Sequence, residues 1–477
     1  MSGTLPLLDG FDNPQSVFAW RRGKPISQAR FLRDVAALAA RLPASGHVLN
    51  VCADRYRFAV GLAAALVRNQ ISLLPPSTHA ATIQQLLARF PDTYCLTETA
   101  QPDIDLPQTL NDDRIDDNRD ARLDDQFAMP RLPIDQTVAY VFTSGSTGMP
   151  TLHRKRWGSL VINVRSEAER LGCDRASRHA PLAIVATVPP QHMFGFESSL
   201  LMAWQSGNTI VAERPFYPAD ITSALARLPS PRMLVTTPFH LRALLAEDGD
   251  LPAIDQLLCA TAPLSPALAL EAERRFAAPL REIYGCTETG QLASRRPTVD
   301  PRWHLLGTIT LSVEGDVATA EGGHIEQPTA VSDLIELASD FATSRRFVLA
   351  GRAADLVNIA GKRTSLGHLN LQLNMIEGVI DGVFVMPADD DAKHDGVTRL
   401  ACVVVAPTLD ASRLSAALRA RIDAVFLPRP IHFVDRIPRN DTGKLTQATL
   451  QTMIASLHAR IASRDEPTHC TDGKSSS

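Results

Sequence analysis

The chain has 477 residues, too many for one ordinary core, so its length points to two to four domains. With 45% hydrophobic and 21% charged residues, the composition is that of a soluble globular protein. A net charge of −4 excludes any broad electrostatic pull toward nucleic acid or an anionic membrane.

The opening "MSGTLPLLDGFDNPQS" has no basic stretch before an apolar core, so no signal peptide is expected. Residues 26–42 place Phe31, Val35, Leu38 and Leu42 at helical spacing, with Ser27 as a candidate cap. A strand at "HVLNVCA", a helix at "FAVGLAAALVRNQ" and a strand at "SLLPP" follow, which is a βαβ signature. The apolar run 58–67 inside that helix is too short to span a bilayer, so no membrane span and a cytoplasmic location are expected. Residues 98–136, rich in Asp, Pro and Gln, read as a solvated loop. From 138 to 350 apolar strands recur at "VAYVFT", "LAIVATVP", "TIVAE", "RMLVTT" and "QLLCATAPL", with helices such as "TSALARL" and "PALALEAERRFAAPL" between them. The pattern predicts one large layered α/β domain over 1–351.

Beyond the boundary stretch "GRAADL" (351–356), strands are expected at 378–386, 398–406 and 430–435. Helices are expected at 411–425, with Leu414, Leu418, Ile422 and Val425 on one face, and at 445–462. These make a small α+β domain over 352–465, and the polar end 466–477 is expected to be disordered. The seven cysteines include no zinc spacing and no C-x-x-C pair, and they read as reduced core residues. No metal cluster built from side chains is evident.

Chemistry is concentrated in a few stretches. An apolar strand ends in "TSGSTG", where Gly145 and Gly148 permit unusual backbone angles and Thr143, Ser144, Ser146 and Thr147 offer hydroxyls. Successive exposed amides in such a turn make an anion cradle. No Gly-Lys-Ser/Thr closes it, so it is not a Walker loop. Taken alone, the stretch is either a phosphate cradle or a plain flexible turn. On local sequence alone "YGCTETG" (284–290) is a Tyr-Gly turn with Glu288 exposed, Asp333 in "VSDLIEL" is a surface carboxylate, and Lys444 in "IPRNDTGKLT" is an ordinary exposed lysine.

Taken together and in order, these stretches resemble the adenylate-forming superfamily: acyl-CoA synthetases, aryl-acid ligases, luciferases and nonribosomal adenylation domains. "TSGSTGMP" is similar to its phosphate loop, T-S-G-[ST]-T-G-x-P-K, except that Thr151 stands at the lysine place, with His153, Arg154 and Lys155 the nearest bases. "YGCTETG" resembles Y-G-x-T-E. That resemblance implies adenine stacking by Tyr284 beside Gly285, an α-phosphate contact from Thr287 and a Mg²⁺ ligand in Glu288. Asp333 falls at the ribose-binding Asp of T-G-D, with Val331 and Ser332 in place of the Thr-Gly. "GRAADLVNIAGKRTSLGHLN" resembles G-R-x-x-D-x-[IV]-K-x-x-G. There Arg352 would contact ribose or phosphate, Ala354 takes the hinge place, Asn358 replaces a common Lys, and the 358–365 loop with Gly361 and Lys362 would line the thiol channel. Lys444 falls at the catalytic lysine of P-x-x-x-x-G-K. "VPPQHMFGFES" and "CATAPL" resemble segments beside the acyl site, offering His192, Phe194 and Phe196, and Ala260, Thr261 and Ala262. Core packing is the competing reading for the aromatics.

The resemblance covers about 20–460. It implies a large N-terminal α/β domain carrying a small mobile C-terminal α+β domain, with ATP and Mg²⁺ as cofactors. It also implies activation of a carboxylic acid to acyl-AMP and transfer to coenzyme A or to 4'-phosphopantetheine on an acyl carrier protein. Segments 188–198 and 351–370 look closest to the aryl-acid ligases of aryl-polyene and xanthomonadin-type pigment clusters, hence a hydroxybenzoate-like acid. A fatty or short-chain acyl-CoA synthetase, and a catalytically retired nucleotide- or carrier-binding homologue, are the alternatives. No nucleic-acid partner is implied.

Overall fold

A computed structural model describes residues 3–112, 128–143, 151–352, 356–359, 362–386, 400–439, 445, 449–450 and 452–453, with the backbone alone at Thr143, Arg352, Leu356, Asn358 and Arg363. The chain divides into two compact units, Met1–Ala354 and Asp355–Ser477.

The larger unit is a mixed α/β structure built on two sheets. In chain order its main elements are β1 (Val17–Arg21), β2 (Lys24–Ser27), α1 (Gln28–Ala39), β3 (His47–Asn50), α2 (Arg55–Val67), β4 (Ile71–Leu74), α3 (Ala80–Arg89), β5 (Tyr94–Thr97) and β6 (Gln108–Leu110). Then come β7 (Thr137–Thr143), β8 (Thr151–Arg156), α4 (Trp157–Leu171), β9 (Ala183–Ala186), β10 (Thr209–Val211), α5 (Pro218–Ala226), β11 (Arg232–Thr236), α6 (Pro238–Ala246), β12 (Gln256–Cys259) and α7 (Pro266–Phe276). The unit ends with β13 (Leu280–Cys286), β14 (Gly290–Arg295), β15 (Trp303–Leu305), β16 (Asp333–Leu337) and β17 (Arg346–Arg352).

One sheet runs β8-β7-β4-β3-β5-β6, all parallel except the β8 edge. The other has eleven strands in the order β16-β17-β15-β14-β13-β12-β11-β9-β10-β1-β2. Its centre, β13 through β1, is parallel, and antiparallel strands close both edges. Parallel strands must be covered on both faces, and their sequences are accordingly near-continuous apolar runs. α2 is buried almost all round, and Phe58, Leu62 and Leu66 join Phe18, Phe31 and Trp204 in the main core.

Local chemistry sets most element ends. Ser27 caps α1 by accepting from the Arg30 amide at 3.2 Å, and Asp54 caps α2 by accepting from Arg57 at 3.0 Å. α2 therefore begins three residues before the apolar run that announced it. α7 stops at Phe276 because Ala277 adopts φ +50°, releasing the chain into β13. The expected loop 98–136 is corrected: β6 pairs with β5, and Arg131–Pro133 pairs with Thr4–Pro6, while 113–127 lie outside the described residues.

The smaller unit has a hairpin of β18 (Leu356–Ile359) and β19 (Lys362–Ser365), then α8 (Leu366–Asn374). β20 (Asp381–Val385), β21 (Ala401–Val405), α9 (Ala411–Arg419) and β22 (Ile431–Phe433) follow, with the sheet ordered β20-β21-β22. Leu369, Leu373, Phe384, Cys402, Leu414 and Leu418 form its own core. The helix expected over 411–425 is shorter: α9 ends at Arg419, and Asp423 caps a separate 3₁₀ turn, Ala424–Phe426, by accepting from the Val425 amide at 3.2 Å. An Asp that can bond its own neighbouring backbone competes with helix continuation. Only fragments of the expected 445–462 helix are described, and 466–477 lie outside the described residues.

Candidate active site

In open α/β sheets, ligands are received at the carboxyl ends of the parallel strands. β9, β11, β12 and β13 are neighbours in the large sheet and point the same way. Their ends lead into His192, Thr237 and His240, Ala260–Ala262, and Thr287–Glu288 respectively. In the other sheet, β7 ends at Thr143, and Ser144, Gly145, Ser146, Thr147 and Gly148 after it lie outside the described residues.

β13 and β14 form a hairpin in which Cys286 pairs with Gly290, leaving Thr287, Glu288 and Thr289 as a three-residue turn. Gly290 takes φ +77°, the left-handed position such turns favour for glycine. A Cβ on Gly285 would lie 2.3 Å from the Gly290 carbonyl oxygen, so only glycine lets the two strands approach there. Thr287 is half-buried and Glu288 exposed.

Side chains beneath hold this turn by its backbone. Lys155, at the end of β8, donates from Nζ to the Thr287 carbonyl at 2.6 Å. His324 Nε2 lies 2.8 Å from the Thr289 carbonyl, which can only accept, so Nε2 carries the hydrogen. His153 Nε2 is 3.8 Å from Glu288 Oε1. Burial pulls His324 down to about 4 and His153 below the ordinary imidazole value, so both are neutral near pH 7. Deeper in, Asn163 donates to Glu197 Oε1 at 2.8 Å and Gln291 to Ser198 Oγ at 2.8 Å. Glu197 and Ser198 sit on a π-helical turn, Phe196–Leu201. Burial pushes Glu197 up to about 7, against the opposing pull of Lys155, and Glu167 up to about 8.

Tyr284 opens the same hairpin. Its hydroxyl donates to Asp333 Oδ2 at 2.8 Å, and its ring packs against Trp303 and Phe347, with centroids 5.5 and 6.0 Å away. Asp333 is in turn the backbone partner of Arg352 across β16 and β17. Residues of β13, β16 and β17 that lie 49 and 19 positions apart in sequence are therefore linked through Asp333.

At the β9 end, His192 Nδ1 accepts from the Phe194 amide at 3.3 Å. Phe196 is fully buried in the main core and Phe194 nearly so; both pack as core side chains. At the β12 end, Ala260 is buried, and Thr261 is a β-branched residue at φ +82°, an outlier that marks strain. Between these two segments the sheet inserts a group with no counterpart in the motif reading. His240 Nδ1 lies 2.9 Å from Thr237 Oγ1 and 3.3 Å from Thr187 Oγ1, and Thr187 Oγ1 lies 3.1 Å from Thr236 Oγ1. The signal was present in "TTPFH", a threonine cap and Pro after an apolar strand, and only strand order shows that it shares an edge with the others.

In the smaller unit, Lys362 is paired with Asp423. Lys444, Gly361 and residues 353–355, with the Ala354 hinge place, lie outside the described residues. Glu288 fits the donor chemistry expected of a Mg²⁺ ligand: an exposed carboxylate 3.8 Å from an imidazole that burial keeps neutral. No helix among the described residues is long and apolar enough to cross a membrane.

The chain is 26% identical over 323 residues to a 4-coumarate–CoA ligase of Halorhodospira halophila, covering 64% of this chain and 73% of the relative. It is 21% identical over 316 residues to a 3,4-dihydroxybenzoate–[aryl-carrier protein] ligase of Bacillus anthracis, covering 65% and 72%. The fold is shared with ATP-bound MatB from Rhodopseudomonas palustris, with a TM-score of 0.77, 16% identity and coverage of 95% of this chain and 98% of that one. The family model of AMP-binding enzymes matches residues 26–326, well over half of the sequence, and the chain belongs to that family.

Proposed function

We propose that this AMP-forming acid–thiol ligase activates an aryl carboxylic acid of the hydroxybenzoate type and delivers it to the phosphopantetheine of a carrier protein. The observation that carries the reading is that Tyr284, on the hairpin that also presents Thr287 and Glu288, bonds Asp333, which pairs with the Arg352 backbone. An adenosine needs a flat apolar partner and a diol acceptor, and a triphosphate needs hydroxyls and a carboxylate for its cation. This hairpin and its neighbour supply all four.

In the first step a carboxylate oxygen of the acid attacks the α-phosphorus. The bond to the bridging oxygen breaks and pyrophosphate leaves with the electron pair. Asp333 would hold the ribose hydroxyls, Thr287 the α-phosphate, and residues 143–148 the departing phosphates. Glu288 would hold Mg²⁺, which offsets charge on the phosphate oxygens. Lys444 would neutralise the attacking carboxylate and the phosphate together. In the second step a thiolate attacks the acyl carbon and AMP leaves. The smaller unit would rotate about 352–355 between the steps, withdrawing Lys444 and presenting the 358–365 loop.

The aryl acid is supported by the 4-coumarate and 3,4-dihydroxybenzoate ligases among the relatives and by the small residues Ala260 and Ala262 at the β12 end. The carrier-protein acceptor is supported by the second of those relatives. ATP–pyrophosphate exchange across hydroxybenzoates, cinnamates, acetate and long-chain fatty acids tests the first half. Exchange with aliphatic acids alone would replace this reading by fatty or short-chain activation, and no exchange with any acid would favour a retired binder. Thioester formation with coenzyme A set against a phosphopantetheinylated carrier protein tests the second half.

A further inference from the structure

The phosphate loop has Thr151 where its relatives in pattern place a lysine, and the next lysine is Lys155. Residues 151, 153 and 155 alternate onto one face of β8. At ~3.3 Å per residue, Lys155 sits roughly 13 Å along the strand from position 151, too far to serve the same point in the loop. It reaches the 287–289 turn instead.

Lys155 is only 9% exposed, and a lysine is seldom so buried unless it is paired. Its Nζ contacts the Thr287 carbonyl at 2.6 Å, and its charge acts on the buried Glu197. His324 holds the Thr289 carbonyl of the same turn, and His153, two residues before Lys155, faces Glu288. Both ends of a three-residue turn are therefore fixed by their backbone oxygens, which sets where the side chains of Thr287 and Glu288 point. A site works only when its contacting residues are held by the layer beneath them.

We infer that Lys155 is a positioning residue for Mg-ATP: by gripping the Thr287 carbonyl it aims the Thr287 hydroxyl and the Glu288 carboxylate. The inference rests on the roles proposed above for Thr287 and Glu288. It differs from a plain stabilising role in one respect. Misaiming Glu288 weakens ATP binding only when the metal is present.

The test measures binding of Mg-ATP and of ATP in excess chelator to the full chain by calorimetry, for wild type, Lys155→Met and Lys155→Arg. The expected result is that Lys155→Met weakens Mg-ATP at least tenfold and metal-free ATP less than threefold, and that Lys155→Arg, which keeps the cation, recovers more than half of the loss on a logarithmic scale. Should Lys155→Met not fold, Lys155→Gln carries the same comparison. Mg-ATP binding within twofold of wild type, or equal loss of both forms, overturns the inference. A wild-type chain that binds Mg-ATP but exchanges pyrophosphate with no acid would sink the ligase reading alone. One that binds no Mg-ATP sinks both.

Discussion

One phenolic hydroxyl joins two nucleotide candidates, and its removal is a clean residue-scale experiment. Tyr284→Phe keeps the ring against Trp303 and Phe347 but loses the bond to Asp333. A bond of this kind is worth about 1 kcal/mol net, so the ATP concentration for half-maximal exchange should rise about fivefold with little change in maximal rate. An unchanged ATP requirement would separate Asp333 from the ribose.

The buried polar layer makes a second prediction at this scale. His324 titrates at about 4 when folded against an ordinary 6.5, because burial disfavours its charge. The unfolded chain binds the proton first, so stability is lost as pH falls below about 6.5 toward 4. Glu167 runs the other way. Its folded value of about 8 lies above the ordinary 4.5, so its contribution is full below 4.5 and is lost as pH rises through about 8. Glu167→Gln should therefore flatten the alkaline decline of the melting temperature and leave the acid decline in place. A mutant whose alkaline limb matches wild type would contradict the assignment.

At the scale of elements, the 284–290 hairpin is the most constrained piece. Gly285→Ala must push a methyl into the Gly290 carbonyl, backbone against backbone. The expected loss is about 2–4 kcal/mol of stability by strain and overpacking, together with Mg-ATP binding. A melting temperature within a degree of wild type would mean the strands part easily. The sequence showed this element as a motif and hid it as a shape. Gly285 and Gly290 were visible, but the pairing that turns "TET" into a three-residue turn is a long-range fact of register. The same limit explains other differences. α1 was legible because Ser27 and the Phe31, Val35, Leu38 periodicity agree. β6 was hidden in 98–136 because a three-residue strand completed by a neighbour carries no periodicity of its own. The Thr187, Thr236 and His240 group was missed because its members come from the ends of two strands, and the helix after one of them, that only the sheet order makes adjacent.

At the scale of the molecule, the α/β order of the larger unit could be read from alternating runs, since parallel strands buried on both faces write themselves as apolar blocks. What pattern alone could not supply was how residues as far apart as Lys155 and Thr287, 132 positions in sequence, come into contact. The two-step reading makes its own prediction here. Lys444→Ala should slow acyl-adenylate formation about 10²–10³-fold, the scale of losing one charge-stabilising group, while supplied acyl-AMP is still passed to the thiol. Equal loss in both half-reactions would end the account in which the smaller unit serves them in turn.

The six described cysteines share one property: each is buried or half-buried, and burial raises every thiol above its ordinary value. Cys286 is the telling case, since it precedes Thr287 in the hairpin and is held up to about 11. A mixed anhydride acylates any thiolate within reach, and only the thiolate form attacks. At pH 7 a thiol of that kind is ionised in about one molecule in 10⁴, which makes Cys286 a poor acceptor for an acyl-adenylate intermediate. Incubation with ATP and an accepted acid but no acceptor should leave Cys286 unmodified by mass spectrometry, and acylated Cys286 would contradict this.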